Sequence, residues 1–180
     1  MIDYPTLFLG TYPANFPTLW IKEDIVNLIE RNMETLSSDF RAAMEDTVDK
    51  YSLMPQKKGP LAFVYISWLR TPALLQKPLL RIDLYDSREL ADLEECSATW
   101  DISCVSKGIY TRLPTPEGRL KSGALTPIDI EKIWVFEAEK LCTVLGEYIP
   151  ELTQSVREDV KYNKVKFFYG QYLDQVLLVE

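Results

Sequence analysis

Four carboxylates, Asp83, Asp86, Glu94 and Glu95, are the residues of this chain whose type and spacing best suit catalysis. Carboxylate sets of this kind suit Mg²⁺, which takes oxygen ligands and can activate water against a phosphate ester. Asp83 and Asp86 lie three positions apart, so on a strand they face opposite sides. The same four residues therefore also read as a solvated acidic surface. The triplet Asp159, Val160, Lys161 has the acid-x-lysine form of metal-dependent nucleases, which requires a strand behind an upstream acid; here it closes a helical pattern.

Anion chemistry has two further candidates. Gly118, Lys121, Ser122 and Gly123 suggest a phosphate loop, yet no glycine precedes Lys121, so the GxxxxGK[ST] spacing is missing. Lys161, Lys164 and Lys166 interleave with Tyr162, Phe167, Phe168 and Tyr169, a mixture that can stack bases and hold phosphates. It does not follow the RRM pattern, and aromatic residues in a terminal strand also serve as core.

Histidine is absent from all 180 residues. That excludes Ser-His-Asp and Cys-His nucleophilic sites, HExxH zinc sites and histidine general bases. A net charge of −7 opposes nucleic acid and anionic membrane as partners. Charges interrupt the apolar runs before a membrane span is reached, and no basic lead with an apolar core opens the chain, so a cytoplasmic protein is expected. Three cysteines, Cys96, Cys104 and Cys142, cannot all pair with one another; reduced thiols are expected, with Cys142 in the core and Cys96 able to approach Cys104 across a turn.

Five aromatic residues, Tyr4, Phe8, Tyr12, Phe16 and Trp20, recur every fourth position among Pro5, Pro13 and Pro17. Proline forbids a regular helix there, so residues 1–20 read as an extended arm. Even spacing places the rings on one face, roughly 13 Å apart at about 3.3 Å per residue. Such an arm must lie on something apolar, either its own helices or, by self-association or partner binding, another subunit or a partner protein.

The elements that would position these groups are legible from periodicity. Ile25, Leu28, Ile29, Met33, Leu36, Phe40, Met44, Val48 and Tyr51 predict one long helix or two joined helices over 21–51, with Ser37, Ser38 and Asp39 able to cap a second. Pro55 and the run Lys57, Lys58, Gly59, Pro60 mark a loop. Leu61 to Arg70 is apolar on both faces and predicts a central strand. Leu79 to Asp86 alternates, with Leu80, Ile82 and Leu84 against Arg81, Asp83 and Tyr85, which predicts a half-buried strand joined to the first as a hairpin. Residues 86–101 hold six acids, Asp86, Glu89, Asp92, Glu94, Glu95 and Asp101, against Arg88 alone, and read as an acidic edge. Residues 102–125 read as a strand followed by a basic loop.

Thr126, Pro127 and Asp129 carry a helix-start signal, followed by the stripe Ile130, Trp134, Ala138, Leu141, Leu145 and Tyr148. Pro150 resets the chain into a shorter helix, and Val165 to Tyr169 and Val176 to Val179 predict two strands. The expected architecture is an arm over 1–20 and a single α+β domain over 21–180, with an antiparallel or mixed sheet covered by a long N-terminal helix and a C-terminal helix pair. The function expected of it is protein–protein interaction without catalysis and without cofactor, as an inhibitor, adaptor or assembly subunit, through the arm (Tyr4, Phe8, Tyr12, Phe16, Trp20), the acidic edge or both. A metal-dependent phosphodiesterase using Asp83, Asp86, Glu94 and Glu95, and a single-stranded nucleic-acid binder using Lys161, Lys164 and Lys166, are the alternatives.

Overall fold

A computed structural model describes residues 21–74, 77, 79–92, 94–111, 127–157, 164–172 and 176–179. The apolar stripe of the first fifty residues folds as two helices, α1 (Lys22–Arg31) and α2 (Met33–Ser52). The break falls at Asn32, not at Ser37 to Asp39, which lie inside α2. Asn32 Nδ2 donates to the Leu28 carbonyl at 2.8 Å, so its side chain competes with the backbone and turns the chain. Leu36 and Phe40 flank the expected cap and are both fully buried, which an unbroken helix allows.

The strands are β1 (Phe63–Trp68), β2 (Leu79–Tyr85), β3 (Ser97–Asp101), β4 (Lys166–Gln171) and β5 (Val176–Val179). They form one sheet in the order β3-β2-β1-β4-β5, with β1 and β4 parallel and every other pair antiparallel. The doubly apolar strand β1 is central, as its composition predicts. β1 and β2 form the expected hairpin, and their connection contains the short helix α3 (Arg70–Leu74). Mixed pairing and flanking helices make this an α+β fold.

Two sequence readings are corrected in the stretch after β2. The acidic segment ends in strand β3, whose inward face rests on Trp100, fully buried; alternation over Ser97, Ala98 and Thr99 is too weak to announce it. Ser103–Tyr110 is helix α4 and not a strand. Val105 and Ile109 lie one helical turn apart and are both fully buried, while Asp101 Oδ1 accepts the Ser103 amide at 2.7 Å at its start.

Helix α5 (Pro127–Gly146) begins at the proline, where no donor is required, and α6 (Ile149–Arg157) carries Pro150 in its first turn, where again no donor is required. One buried cluster joins these helices to a single face of the sheet, through Val64, Ile66, Leu80, Ile82, Trp100 and Phe167. Phe40 and Trp100 meet at its centre, ring centroids 5.0 Å apart. Gly108 permits close approach of α4 to α1, because a Cβ there would stand 3.0 Å from a Leu28 methyl. Among the described residues no helix is long and apolar enough to cross a membrane.

Phe40→Ala removes a fully buried ring from this junction and is expected to cost about 4 kcal/mol, from lost burial plus a cavity. Urea unfolding measures it. A loss below about 1 kcal/mol would place Phe40 outside the cooperative core.

Candidate functional site

The other face of the sheet carries the alternate side chains, including Phe63, Tyr65, Ser67, Arg81, Asp83, Tyr85 and Phe168. Its polar end is built around Lys58. The turn after α2 is closed by Lys57 and Lys58 amides on the Met54 carbonyl, both at 3.0 Å, and it directs the Lys58 side chain inward. Only 1% of that side chain is exposed. Lys58 Nζ donates to Asp92 Oδ2 at 2.7 Å and to the Leu84 carbonyl at 3.2 Å, and it lies over the Tyr51 and Tyr85 rings at 5.2 and 5.9 Å. A buried ammonium needs such partners, since desolvating it alone costs several kcal/mol.

Asp86 extends the network. It accepts the Gly59 amide and the Arg88 amide, each at 2.9 Å, and a guanidinium nitrogen of Arg88 at 2.6 Å. Arg88 also donates to the Lys57 carbonyl at 2.8 Å and reaches Asp92 at 3.3 Å. These bonds hold the Asp86 carboxyl well below its usual range, the Arg88 contact contributing most. Burial opposes the charge on Asp92, but the bonds from Lys58 and the Glu94 amide outweigh it and its carboxyl is also lowered. Glu89 has a left-handed backbone, φ 54°, a strained conformation for a residue with a side chain. Its carboxylate accepts the Tyr65 hydroxyl, which ties this turn down onto the sheet.

A second group sits beside the first. Arg81 Nε donates to both carboxylate oxygens of Asp83 at 2.8 and 2.9 Å, a further guanidinium nitrogen reaches Glu95 at 2.7 Å, and the guanidinium stacks over Tyr172 at 5.0 Å. Asp83 is 3% exposed, so the face expected to be half-solvated is closed over this carboxylate. Burial pushes its carboxyl up despite Arg81. Burial, then the charge of Asp83, pushes the Tyr85 phenol up to about 12. Between the two groups lies a cavity of about 170 Å³, lined by Arg81, Asp83, Tyr85, Asp92, Glu95, Cys96 and Tyr172.

The four carboxylates read as a metal set are divided among three cations: Asp83 and Glu95 share Arg81, Asp86 is on Arg88, and Glu94 is on Lys57 at 3.0 Å. Among the described residues no three histidine, cysteine or acidic side chains are placed to hold a metal ion. The acidic edge is likewise internally engaged, since Glu89 and Asp101 hold Tyr65 and the Ser103 amide. Lys164 and Lys166 are exposed, whereas Phe167 is core, Phe168 stacks on Tyr65 at 4.7 Å, and Tyr169 donates to the Cys142 carbonyl at 2.6 Å. Lys166 thus shares a sheet face with Phe168, two positions along β4, while Phe167 and Tyr169 turn to the core. The arm with Tyr4, Phe8, Tyr12, Phe16 and Trp20, the basic loop with Lys121, and Asp159 to Lys161 lie outside the described residues.

No family model, curated protein or solved structure matches the chain. The residues missed by sequence reading are Lys58, Arg88 and Asp92, and their signal is weak. Lys58 stands in an apparently ordinary loop, 34 positions from its counterion. The basic pair Lys57 and Lys58 ahead of a strongly acidic stretch is the only clue to the match.

Lys58→Met leaves Asp92 buried without its ammonium and is expected to cost about 3 kcal/mol or more. The double variant Lys58→Met/Asp92→Asn should lose less than the sum of its singles, because the two residues form one interaction. Strict additivity of the urea-unfolding losses would refute the coupling.

The same groups set an acid limit. Asp86 and Asp92 are lowered on folding, so their stabilisation is complete above the ordinary aspartate value of 3.8 and is lost as pH falls through their folded values. Asp83 runs in the opposite sense: its raised carboxyl costs stability above its folded value, and acid relieves that cost. The losses at Asp86 and Asp92 lie below 3.8 and the relief at Asp83 lies above it, so the urea midpoint should fall as pH drops from about 4 to about 2, and less steeply in Asp92→Asn. A flat wild-type midpoint over that range would contradict the assignment.

Proposed function

We propose that the chain is a non-enzymatic protein–protein interaction module of the cytoplasm, an inhibitor, adaptor or assembly subunit. The supporting observation is the character of the cavity. Its charged walls are committed to one another in fixed geometry, which preserves a shape, and its roughly 170 Å³ is below the roughly 300–1,000 Å³ of small-molecule pockets. That volume suits one side chain from another protein. Tyrosines and arginine at the rim, here Tyr85, Tyr172 and Arg81, are the residue types that anchor protein interfaces. The free thiols Cys96, Cys104 and Cys142 accord with a reducing compartment. The aromatic arm, Tyr4 to Trp20, supplies further interface anchors in this reading.

Affinity capture from native lysate tests it, with full-length protein and a variant lacking residues 1–20, both first shown to be folded by circular dichroism. A specific protein partner is expected with the full-length chain, with at least tenfold less recovered by the shortened one. Recovery of nucleic acid in place of protein, sensitive to salt, would favour the Lys164 and Lys166 surface instead.

A further inference from the structure

We propose that the chain pairs with a second copy of itself along the outer edge of β5, joining two sheets through an antiparallel β5–β5 contact about a two-fold axis. Among the described residues β5 has a single strand neighbour, β4. Its sequence, Val176, Leu177, Leu178, Val179, carries neither proline nor charge, two of the devices that keep strand edges apart. The opposite edge is blunter: β3 runs from Ser97 to Asp101 and ends on a carboxylate. Leu177 and Leu178 are 42% and 51% exposed. They lie opposite Tyr169, which turns to the core, and Phe168, which turns to Tyr65, so the two leucines stand on opposite faces of the sheet. A helix or an arm laid on one face would cover one of them. A strand added at the edge covers both.

Hydrogen-bond parity selects the pairing. The amides of Lys166 and Tyr172 donate to the Ala62 and Trp68 carbonyls, so the even-numbered residues of β4 turn their backbone groups to β1 and the odd-numbered Phe167 and Tyr169 turn theirs to β5. Their partners in register, Val179 and Leu177, are thereby engaged, and the N–H and C=O groups of Val176 and Leu178 point outward. An antiparallel ladder bonds outward residue to outward residue. A two-fold axis through Leu177 therefore sets Val176 of each copy against Leu178 of the other and uses every outward group of both strands. Leu177 then meets Leu177 on one face and Leu178 meets Val176 on the other, so each copy supplies the apolar cover the other needs. An axis between Leu177 and Leu178, which the palindrome Val-Leu-Leu-Val suggests, would set an outward residue against an inward one and form no ladder. The edge is held in place, because the Arg157 guanidinium donates to the Val179 carbonyl at 2.6 Å and lies over the Phe167 ring at 5.0 Å. Two chains of net charge −7 can meet along this strand with no charge in the ladder. The contact is independent of the cavity and of any other protein bound there.

So short a strand buries less than the roughly 800 Å² a side of a standard interface, so sedimentation equilibrium of the full-length protein should show monomer near about 1 μM and dimer near about 500 μM. High salt should favour the dimer, since it screens the like net charge of the two copies. Leu177→Lys sets two ammonium groups together on the axis and should weaken the dimer about tenfold. Leu178→Lys should act in the same direction and keeps the test open if the first variant does not fold. Under mild oxidation Leu177→Cys should give a disulfide-linked dimer, because residues facing each other in a non-bonded pair lie about 4.5 Å apart at Cα; Leu178→Cys, off the axis by more than about 7 Å, should not. Wild-type protein, with Cys96, Cys104 and Cys142 free, is the reference. A monomer at every concentration, a dimer indifferent to both lysine variants, or cross-linking at Leu178 in place of Leu177 overturns the proposal. A dimer that forms only after removal of residues 1–20 assigns the edge to the chain's own arm and overturns it too. A chain that stays monomeric yet captures a specific partner removes the self-pairing while leaving the interaction module standing.

Discussion

The buried pair Lys58–Asp92 is the constraint on which the polar half of this molecule depends. It connects the turn after α2 to the excursion between β2 and β3, two segments that share no regular secondary structure. Lys58 brings three donors into a place with little water, and the structure answers with a carboxylate, a strand carbonyl and two aromatic faces. Once Asp92 is fixed, Arg88 is fixed between Asp92 and Asp86, and Asp86 holds Gly59 in the opposite segment. A hydrophobic contact of equal area would leave these segments free to slide. Directional bonds to charged groups define a single register.

That register has consequences for the sheet. The helices, with α2 on β2 and β3, take one face and supply an ordinary apolar core. The second face is organised by the anchored excursion instead. Tyr65 is held at its hydroxyl by Glu89 and at its ring by Phe168 and Tyr85, so this central residue links the ion network to the aromatic ladder. Strain at Glu89 is tolerated because both ends of its turn are tied: its amide bonds to the Asp86 carbonyl at 3.0 Å, and its side chain bonds to Tyr65.

Legibility in the sequence followed the range of the interactions. The stripes of α1, α2, α5 and α6, the central β1, the hairpin and the C-terminal strands are each set by local apolar period and by proline, and each is found in place. Asn32 displaced the expected cap because a side chain bonding its own preceding turn competes with a Ser-Ser-Asp signal that tertiary burial of Leu36 and Phe40 overrides. β3 and α4 escaped notice because a strand with one strongly buried residue and an eight-residue helix carry too few periods to declare themselves. The site was the least legible part. Asp83, Asp86, Glu94 and Glu95 were visible as carboxylates, but which cation each would meet is decided by the fold and not by spacing.

The pairing of those charges alters what an acidic chain of net charge −7 implies. Composition suggests a diffuse negative field, useful for steering and weak in specificity. Here four acids of the stretch, Asp86, Asp92, Glu94 and Glu95, lie on cations of their own chain, so much of the field is locally compensated, while Glu89 and Asp101 accept hydrogen bonds from neutral donors and keep their charge. Asp83 differs from them in that burial pushes its carboxyl up even though Arg81 holds both of its oxygens, and it shares that guanidinium with Glu95. The fixed pairing of these side chains thus turns much of the acidic edge from a diffuse attractor into an internal brace between the turn after α2 and the sheet.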